Sequence, residues 1–322
     1  MGTRKNTRFL SGFTAILYYE FLWNLRKKKT IGLFILIFAI VTLQITLRPL
    51  LAYYYGPPLP ADPSFVYTNT SYPSLLGGIL LFLIAIATTM NTISGEFETG
   101  SIVPLLTKPV SKTTVFLGKV TAAFLTLLGL FAFLGIYTTI GGILTRGPQD
   151  SLWVVPVGVL GLTIATTVWA AITITLGTLS KNSLVAALGS FGVFLGLAIA
   201  GSLIAFYLGQ TEILFYAPGT GASASTLPCA GSGEGQSFNS INLGSGTDWL
   251  GRLLVEWFIH PNDVLNYCGV RFIRGGARVE TFLLSSDPIS TIALRSLGVS
   301  LAYVVGLLAI SWLAFRRTQI LE

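Results

Sequence analysis

Long apolar stretches separated by short polar breaks make up most of the chain. They cover residues 31–47, 75–93, 115–144, 152–179, 184–208 and 291–315. A helix needs about 20 apolar residues to cross a hydrocarbon core about 30 Å thick, and about 17 residues suffice at the lower limit. The pattern therefore predicts an all-α integral membrane protein with six transmembrane helices.

Residues 9–25 are predicted to form a different kind of helix. Their apolar side chains recur near helical spacing, Glu20 and Asn24 lie on another face, and the basic run 26–29 follows directly. This pattern is typical of an amphipathic helix that lies along a membrane surface. A plain cytoplasmic helix is the alternative. We expect residues 1–30 to form a cytoplasmic N-terminus that contains this interfacial helix.

The stretch between the fifth and sixth spans, residues 209–290, differs in character from the rest. Gly- and Ser-rich sequence at 219–223 and 231–235 indicates loops, and 249–259 resembles a short amphipathic helix. We expect an extracellular loop subdomain here, between the span region 31–208 and a final unit, 291–322, that holds the last span and a cytoplasmic tail.

Three residues in this outer stretch have chemistry of interest. Both cysteines of the chain, Cys229 and Cys268, lie in it, and an even pair on an oxidising side predicts a disulfide. Two free thiols are the alternative. The single histidine, His260, has no neighbouring cluster of ligands in the sequence, so we interpret it as structural rather than as part of a metal site.

The composition agrees with a membrane protein. Hydrophobic residues make up 52% of the 322 positions and charged residues 10%, against about 25% charged in soluble domains. The net charge of +7 is also compatible with nucleic-acid binding, but the basic residues gather at the ends of apolar runs, as at 26–29 and 316–317. Because cytoplasmic loops carry the excess of Lys and Arg, the distribution predicts a multi-pass protein of the cell membrane, with both termini cytoplasmic and no nucleic-acid partner.

None of the six apolar runs contains an acidic residue or a histidine. Carriers driven by ion gradients usually hold such residues inside the membrane, where they bind the moving ion. The sequence also lacks the G-x-x-x-x-G-K-[ST] loop that cradles nucleotide phosphates. We therefore predict that this chain is not an enzyme and binds no cofactor or metal, and that a partner subunit binds ATP and Mg²⁺.

Small residues recur every four positions in the fifth span, at Gly192, Gly196 and Ala200. Such a stripe lets two helix backbones approach closely within a membrane. It predicts a helix interface at this face, either within the chain or between subunits.

The polar segment 94–112 between the second and third spans is the most informative part of the sequence. Glu96 and Glu98 precede a flexible Gly-Ser pair, a short apolar patch follows at 102–106, and Pro109 ends it. This order predicts a short amphipathic helix whose apolar side chains would enter a groove of a soluble partner. A simple re-entry loop is the alternative.

The same segment resembles the signature of the type-2 ABC export permeases, in which an acidic residue, a Gly-Thr pair, a Leu-Leu pair, Pro-Val-Ser-Arg/Lys and Gly-Lys recur in this order. The residues that match are Glu96, Gly100, Leu105, Leu106, Pro109, Val110, Ser111, Lys112, Gly118 and Lys119. Phe97, Ser101 and Pro104 depart from the pattern. Because proline is tolerated only in a first helical turn, Pro104 moves the expected start of the helix to near Val103.

The resemblance implies a cytoplasmic coupling helix within 94–112 that contacts an ABC ATPase subunit. The coupling residues are then Glu96, Glu98, Gly100, Ile102, Leu105, Leu106 and Pro109. The order of spans is also similar to that family, which implies a dimer with a second permease copy or a paralogue. The long outer region resembles the subgroup of permeases for nitrous oxide reductase maturation.

These observations predict the permease subunit of an ATP-binding cassette exporter, embedded in the lipid bilayer. Two other classes of function stay open at this point. One is a non-transporting membrane scaffold whose extracellular subdomain binds partner proteins. The other is an ion-coupled carrier or channel.

Overall fold

The computed structural model describes residues 2–55, 62–71, 77–101, 111–207, 215–219, 221–223, 242–244, 246–273 and 276–317. Within these ranges the helices are α1 (Gly2–Arg26), α2 (Lys28–Tyr55), α3 (Phe65–Ser71), α4 (Gly77–Thr89), α5 (Ser94–Glu98), α6 (Lys112–Arg146), α7 (Val155–Ser180), α8 (Ser183–Tyr207), α9 (Leu250–Ile259) and α10 (Ile289–Arg317). A 3₁₀ turn covers Leu152–Val154. The strands are β1 (Gly221–Ser223), β2 (Asn242–Gly244), β3 (Val264–Ile273) and β4 (Gly276–Pro288).

Six helical stretches of the described residues are long and apolar enough to cross a bilayer. They are Lys28–Leu47, Ile79–Glu98, Lys112–Arg146, Leu152–Ser180, Ser183–Gly201 and Ile289–Arg317. Each coincides with one of the predicted apolar runs, so the prediction of an all-α membrane protein with six spans is confirmed. Helix α6 contains 35 residues and is therefore about 52 Å long at 1.5 Å per residue.

Helix α6 extends beyond both ends of its apolar run, 115–144, and each of its ends is capped. The Ser111 hydroxyl accepts the backbone N–H of Thr114 at 3.1 Å and so satisfies the first turn. At the other end, Gly147 adopts a φ of +83° and donates its N–H to the Ile143 carbonyl at 3.2 Å. Glycine takes such a positive φ without steric cost. The helix therefore starts and stops at residues that hydropathy alone does not identify.

Helix α7 lies at the centre of the bundle, where α4, α6, α8, α9 and α10 pack around it. Several of its buried side chains are polar, and each needs a hydrogen-bond partner away from water. Thr175 donates to the Leu307 carbonyl of α10 at 2.9 Å. Thr173 accepts a hydrogen bond from Ser190 of α8 at 3.0 Å. Polar contacts thus supplement apolar packing between α7 and its neighbours.

Helix α9 confirms the short helix predicted over 249–259 and packs into the same core. Leu250 and Leu253 are buried there. Two glycines allow the backbones of α7 and α9 to meet, since a Cβ on Gly161 would lie 2.6 Å from the Gly251 Cα. Helix α9 therefore lies against the first half of α7, in contact with the spans.

Strands β3 and β4 form an antiparallel hairpin that leads directly into α10. Cys268 lies opposite Thr281, and Val270 lies opposite Val279. The sequence predicts a loop subdomain here, and these strands were not predicted. Valine and aromatic residues such as Phe272 favour extended backbone, whereas the predicted loops rested on the Gly- and Ser-rich stretches 219–223 and 231–235. The limits of that subdomain, 209 and 290, stay predictions.

One end of the bundle carries a cluster of basic residues. Here α1, α7 and α10 end, and α2, α6 and α8 begin. The basic residues at this end are Arg26, Lys27, Lys28, Lys29, Lys112, Lys181, Arg316 and Arg317. We call it the basic end; α3, α9 and the hairpin belong to the opposite end.

Candidate coupling site at the basic end

Helix α1 packs along the beginning of α6. A Cβ built on Gly12 of α1 would lie 3.9 Å from the Thr114 methyl group, and one on Gly118 of α6 would lie 2.7 Å from Ile16 Cγ2. Any side chain at Gly118 would therefore force Ile16 to move. Gly118 belongs to the matched signature, and its role in the structure is to let α1 approach α6.

The next residue, Lys119, is the centre of a buried ion triad. It lies on α6 with 4% of its surface exposed. Its ammonium donates to the Glu20 carboxylate of α1 at 2.5 Å and to the Glu96 carboxylate of α5 at 2.8 Å. Because a buried charge is costly without a partner, the three side chains hold α1, α5 and α6 together at this point.

A second cation stands near the triad. Lys27, between α1 and α2, donates from its ammonium to the Asn24 side-chain oxygen at 2.9 Å. Burial lowers the pKa of Lys27, while the carboxylates of Glu20 and Glu96 oppose that shift. The two acidic and two basic groups therefore balance in charge where α1 meets the spans.

Glu98 attaches the other side of α5 to the fifth span. Its two carboxylate oxygens accept the backbone N–H and the hydroxyl of Ser183, the first residue of α8, each at 2.7 Å. Phe97 lies between the two acids, and its ring centre is 6.3 Å from that of Phe315 of α10. The Lys181 ammonium lies 5.7 Å from the centre of the Phe97 ring. The short helix α5 thus contacts α6, α8 and α10.

The chain leaves α5 through a turn that also involves Glu96. The Ser101 hydroxyl donates to the Glu96 carboxylate, and Gly100 adopts a φ of +69°, a conformation that favours glycine. The remaining predicted coupling residues, Ile102, Leu105, Leu106 and Pro109, lie outside the described residues. The coupling helix and its contact with an ATPase therefore stay predictions.

The other predicted sites are not assembled by the residues that the structure describes. Gly192, Gly196 and Ala200 are exposed on α8, and a Cβ on either glycine would meet no atom within 4 Å in the described part of the chain. Any packing at this stripe would therefore be against another molecule or against residues outside the described ranges. Cys229 lies outside the described residues, so the disulfide with Cys268 stays a prediction.

The core contains a buried carboxylate that was not predicted from the sequence. Asp248 is 1% exposed and accepts the Trp169 indole N–H and the Gly219 backbone N–H, both at 2.9 Å. Burial raises the pKa of its carboxyl to about 7, although the two donors oppose the rise. Asp248 lies beside the middle of α7 but outside every apolar run, so a search for acids within the runs could not find it.

Comparison with known proteins identifies the family. A family model described as ABC-2 family transporter protein matches residues 14–320. The match includes the triad, α5 and all six spans. A search of curated proteins gives no match.

Proposed function

Because the chain belongs to the ABC-2 family of transporters, we propose that it is the permease subunit of an exporter whose ATP is hydrolysed by a separate ATPase subunit. The observation that carries the proposal is the buried triad of Glu20, Lys119 and Glu96. It joins the N-terminal helix to α5 and α6, the two helices that precede and follow residues 99–111 in the chain. A partner that docks on those residues would act directly on three elements of the membrane domain.

The contacts of α5 supply a path for that action. Glu96 connects it to α6 through Lys119, and Glu98 connects it to α8 through Ser183. A shift of α5 would therefore displace the third and fifth spans together. A partner changes the balance between inward- and outward-facing states only by its differential affinity for them, and an ATPase that closes on ATP would supply that difference.

The arrangement in the membrane follows from charge and from the exposed stripe. The basic end would face the cytoplasm of a cell membrane, because cytoplasmic segments carry the excess of Lys and Arg, and both termini would lie there. The Gly192 stripe would face a second permease copy or a paralogue. ATP and Mg²⁺ would be bound by the ATPase subunits, and the opposite end would be free to meet an extracellular protein.

The test uses the full chain with the ATPase subunit that co-purifies with it. In the variant Glu96→Gln with Leu105→Ala, we expect weaker ATPase binding and loss of the permease-dependent increase in hydrolysis. The matched control, Asp150→Asn with Leu152→Ala, changes an acid and a leucine at the opposite end. Unchanged binding and stimulation in the first variant would refute the docking role.

Asp248 favours one alternative function, an ion-coupled carrier. A buried carboxylate beside the middle of a central span is a group that could bind a proton or cation. Transport that persists without ATP, follows an ion gradient and is lost in Asp248→Asn would replace the exporter with this carrier. Transport that stops without ATP would exclude it.

A further inference from the structure

A groove opens on the outer surface between α6 and α10 at the basic end. Its volume is about 350 Å³, and its lining is almost wholly apolar, with Thr113, Phe116, Leu117, Val304, Leu308 and Trp312 among the lining residues. The Trp312 indole N–H donates to the Thr113 hydroxyl at 3.4 Å, across the end of the groove nearest the helix termini. A tryptophan with one apolar and one polar side is typical of the boundary between a bilayer and water.

Cations surround that end of the groove. The Lys112 ammonium lies 3.5 Å from the Arg316 carbonyl oxygen, and the Arg316 guanidinium lies 5.6 Å from the Trp312 ring centre. Arg316 and Arg317 are exposed, and no acidic side chain of the described residues pairs with either arginine. Lys112 and Arg316 thus place two positive charges where the apolar groove meets the membrane surface, and Arg317 follows directly on α10.

We propose that this groove binds an anionic phospholipid, with one acyl chain between α6 and α10 and the headgroup phosphate against Lys112, Arg316 and Arg317. The groove extends along α10 from Val304 to Trp312, which is about 12 Å of helix and matches the upper part of one chain. Basic residues at a membrane surface attract anionic headgroups. The apolar lining alone would accept any lipid, so the three cations select the anionic ones. This inference does not depend on the proposed export activity.

Native mass spectrometry of the full chain in detergent tests the proposal, with phosphatidylglycerol and phosphatidylcholine of the same acyl chains as probes. We expect the wild type to retain phosphatidylglycerol preferentially. The variant Lys112→Gln with Arg316→Gln and Arg317→Gln should lose that preference, by about fivefold for each charge removed. A matched control, Arg26→Gln with Lys28→Gln and Lys181→Gln, removes three exposed charges of the same end, none of which lines the groove, and should keep the preference.

A second variant tests the acyl-chain site without changing charge. Ala309 lines the groove, so Ala309→Phe should fill it and lower retention of both lipids, whereas Ile310→Phe, at an exposed neighbouring position outside the lining, should not. Equal retention of the two lipids by the wild type would overturn the proposal, as would equal loss in both charge variants. If Ala309→Phe instead separates a dimer and leaves lipid retention unchanged, the groove binds a second copy of the chain and not a lipid.

Discussion

The Glu98 carboxylate holds the first residue of α8, because its oxygens accept both the N–H and the hydroxyl of Ser183 at 2.7 Å. Glu96, two residues earlier, is held from the opposite direction by Lys119 of α6. An isolated helix of five residues is not stable in water. The position of α5 therefore depends on these two acids, one bonded to the fifth span and the other to the third.

Replacing Glu98 by alanine should free the first turn of α8 without disturbing the core, since Glu98 is exposed. The backbone N–H of Ser183 then loses its acceptor, and we expect faster hydrogen exchange at residues 183–186 by mass spectrometry. Ser183→Ala keeps the N–H bond and should have a smaller effect. Asp150→Asn, an exposed acid at the opposite end, is the control. Unchanged exchange in Glu98→Ala would show that the cap does not hold α8.

Lys119→Met should be strongly destabilising, because it leaves two partly buried carboxylates without their shared cation. Removing one partner of a buried ion pair typically costs about 3–5 kcal/mol. Thermal unfolding in detergent measures the change. Adding Glu20→Gln and Glu96→Gln to Lys119→Met removes the uncompensated charges and should recover much of the loss. A triple variant as unstable as Lys119→Met would mean that the carboxylates are not the cause.

Gly118→Leu should separate α1 from α6, because a Cβ at this position would lie 2.7 Å from Ile16 Cγ2. Disulfide cross-linking between Gly12→Cys and Thr114→Cys, in a chain whose own cysteines are replaced by serine, reports the contact. We expect the yield to fall in Gly118→Leu and to recover when Ile16→Ala is added. The control is Gly129→Leu on the same helix, where a Cβ meets no atom within 4 Å.

Leucine at Gly192 and Gly196 tests the exposed stripe of α8. A Cβ at either position meets no atom of the described residues within 4 Å, so the thermal stability of the monomer should hardly change. If the stripe faces another subunit, the bulkier side chains should prevent close helix approach and shift the oligomer to monomer in light scattering. Gly161→Leu is the contrasting variant, because the Gly251 backbone lies against that position and folding itself should suffer. An unaltered oligomer in the Gly192 and Gly196 variant would place the interface elsewhere.

Asp248 should make stability depend on pH. The pKa of its carboxyl is about 7 in the folded chain and about 3.9 when unfolded, so the folded state binds more protons between these values. The free energy of unfolding therefore falls as pH rises from about 4 to about 7. Asp248→Asn should flatten this dependence, as measured by Tm between pH 5 and pH 8. An identical slope in the variant would contradict the assignment.

Removing the Asp248 side chain altogether should have a larger effect. Asp248→Ala leaves the Trp169 indole N–H and the Gly219 N–H buried without this acceptor. Each unsatisfied donor costs about 1–3 kcal/mol. A Tm close to that of the wild type would mean that the two donors find other partners.

The sequence predicted the spans well because six long apolar runs have few alternatives to crossing a membrane. It also matched Glu96 and Lys119 to one family signature, but as separate residues. Pattern alone could not show that they bond to each other, or that Glu20, 99 positions before Lys119, completes the triad. Asp248 was missed for a related reason, since only the folded chain brings the segment around it beside Trp169.

Helix α6 is nearly twice as long as the hydrocarbon layer is thick, about 52 Å against about 30 Å. Even at a tilt of about 40°, the upper end of the usual range, it would cover about 40 Å along the membrane normal. Some of its turns must therefore project past the hydrocarbon layer. Lys119 bonds α1 to the end of α6 that lies at the basic end. A displacement of α1 would therefore act on a helix that extends across the whole membrane. One continuous helix of 35 residues thus joins the two membrane surfaces, with Lys112 at one and Arg146 at the other.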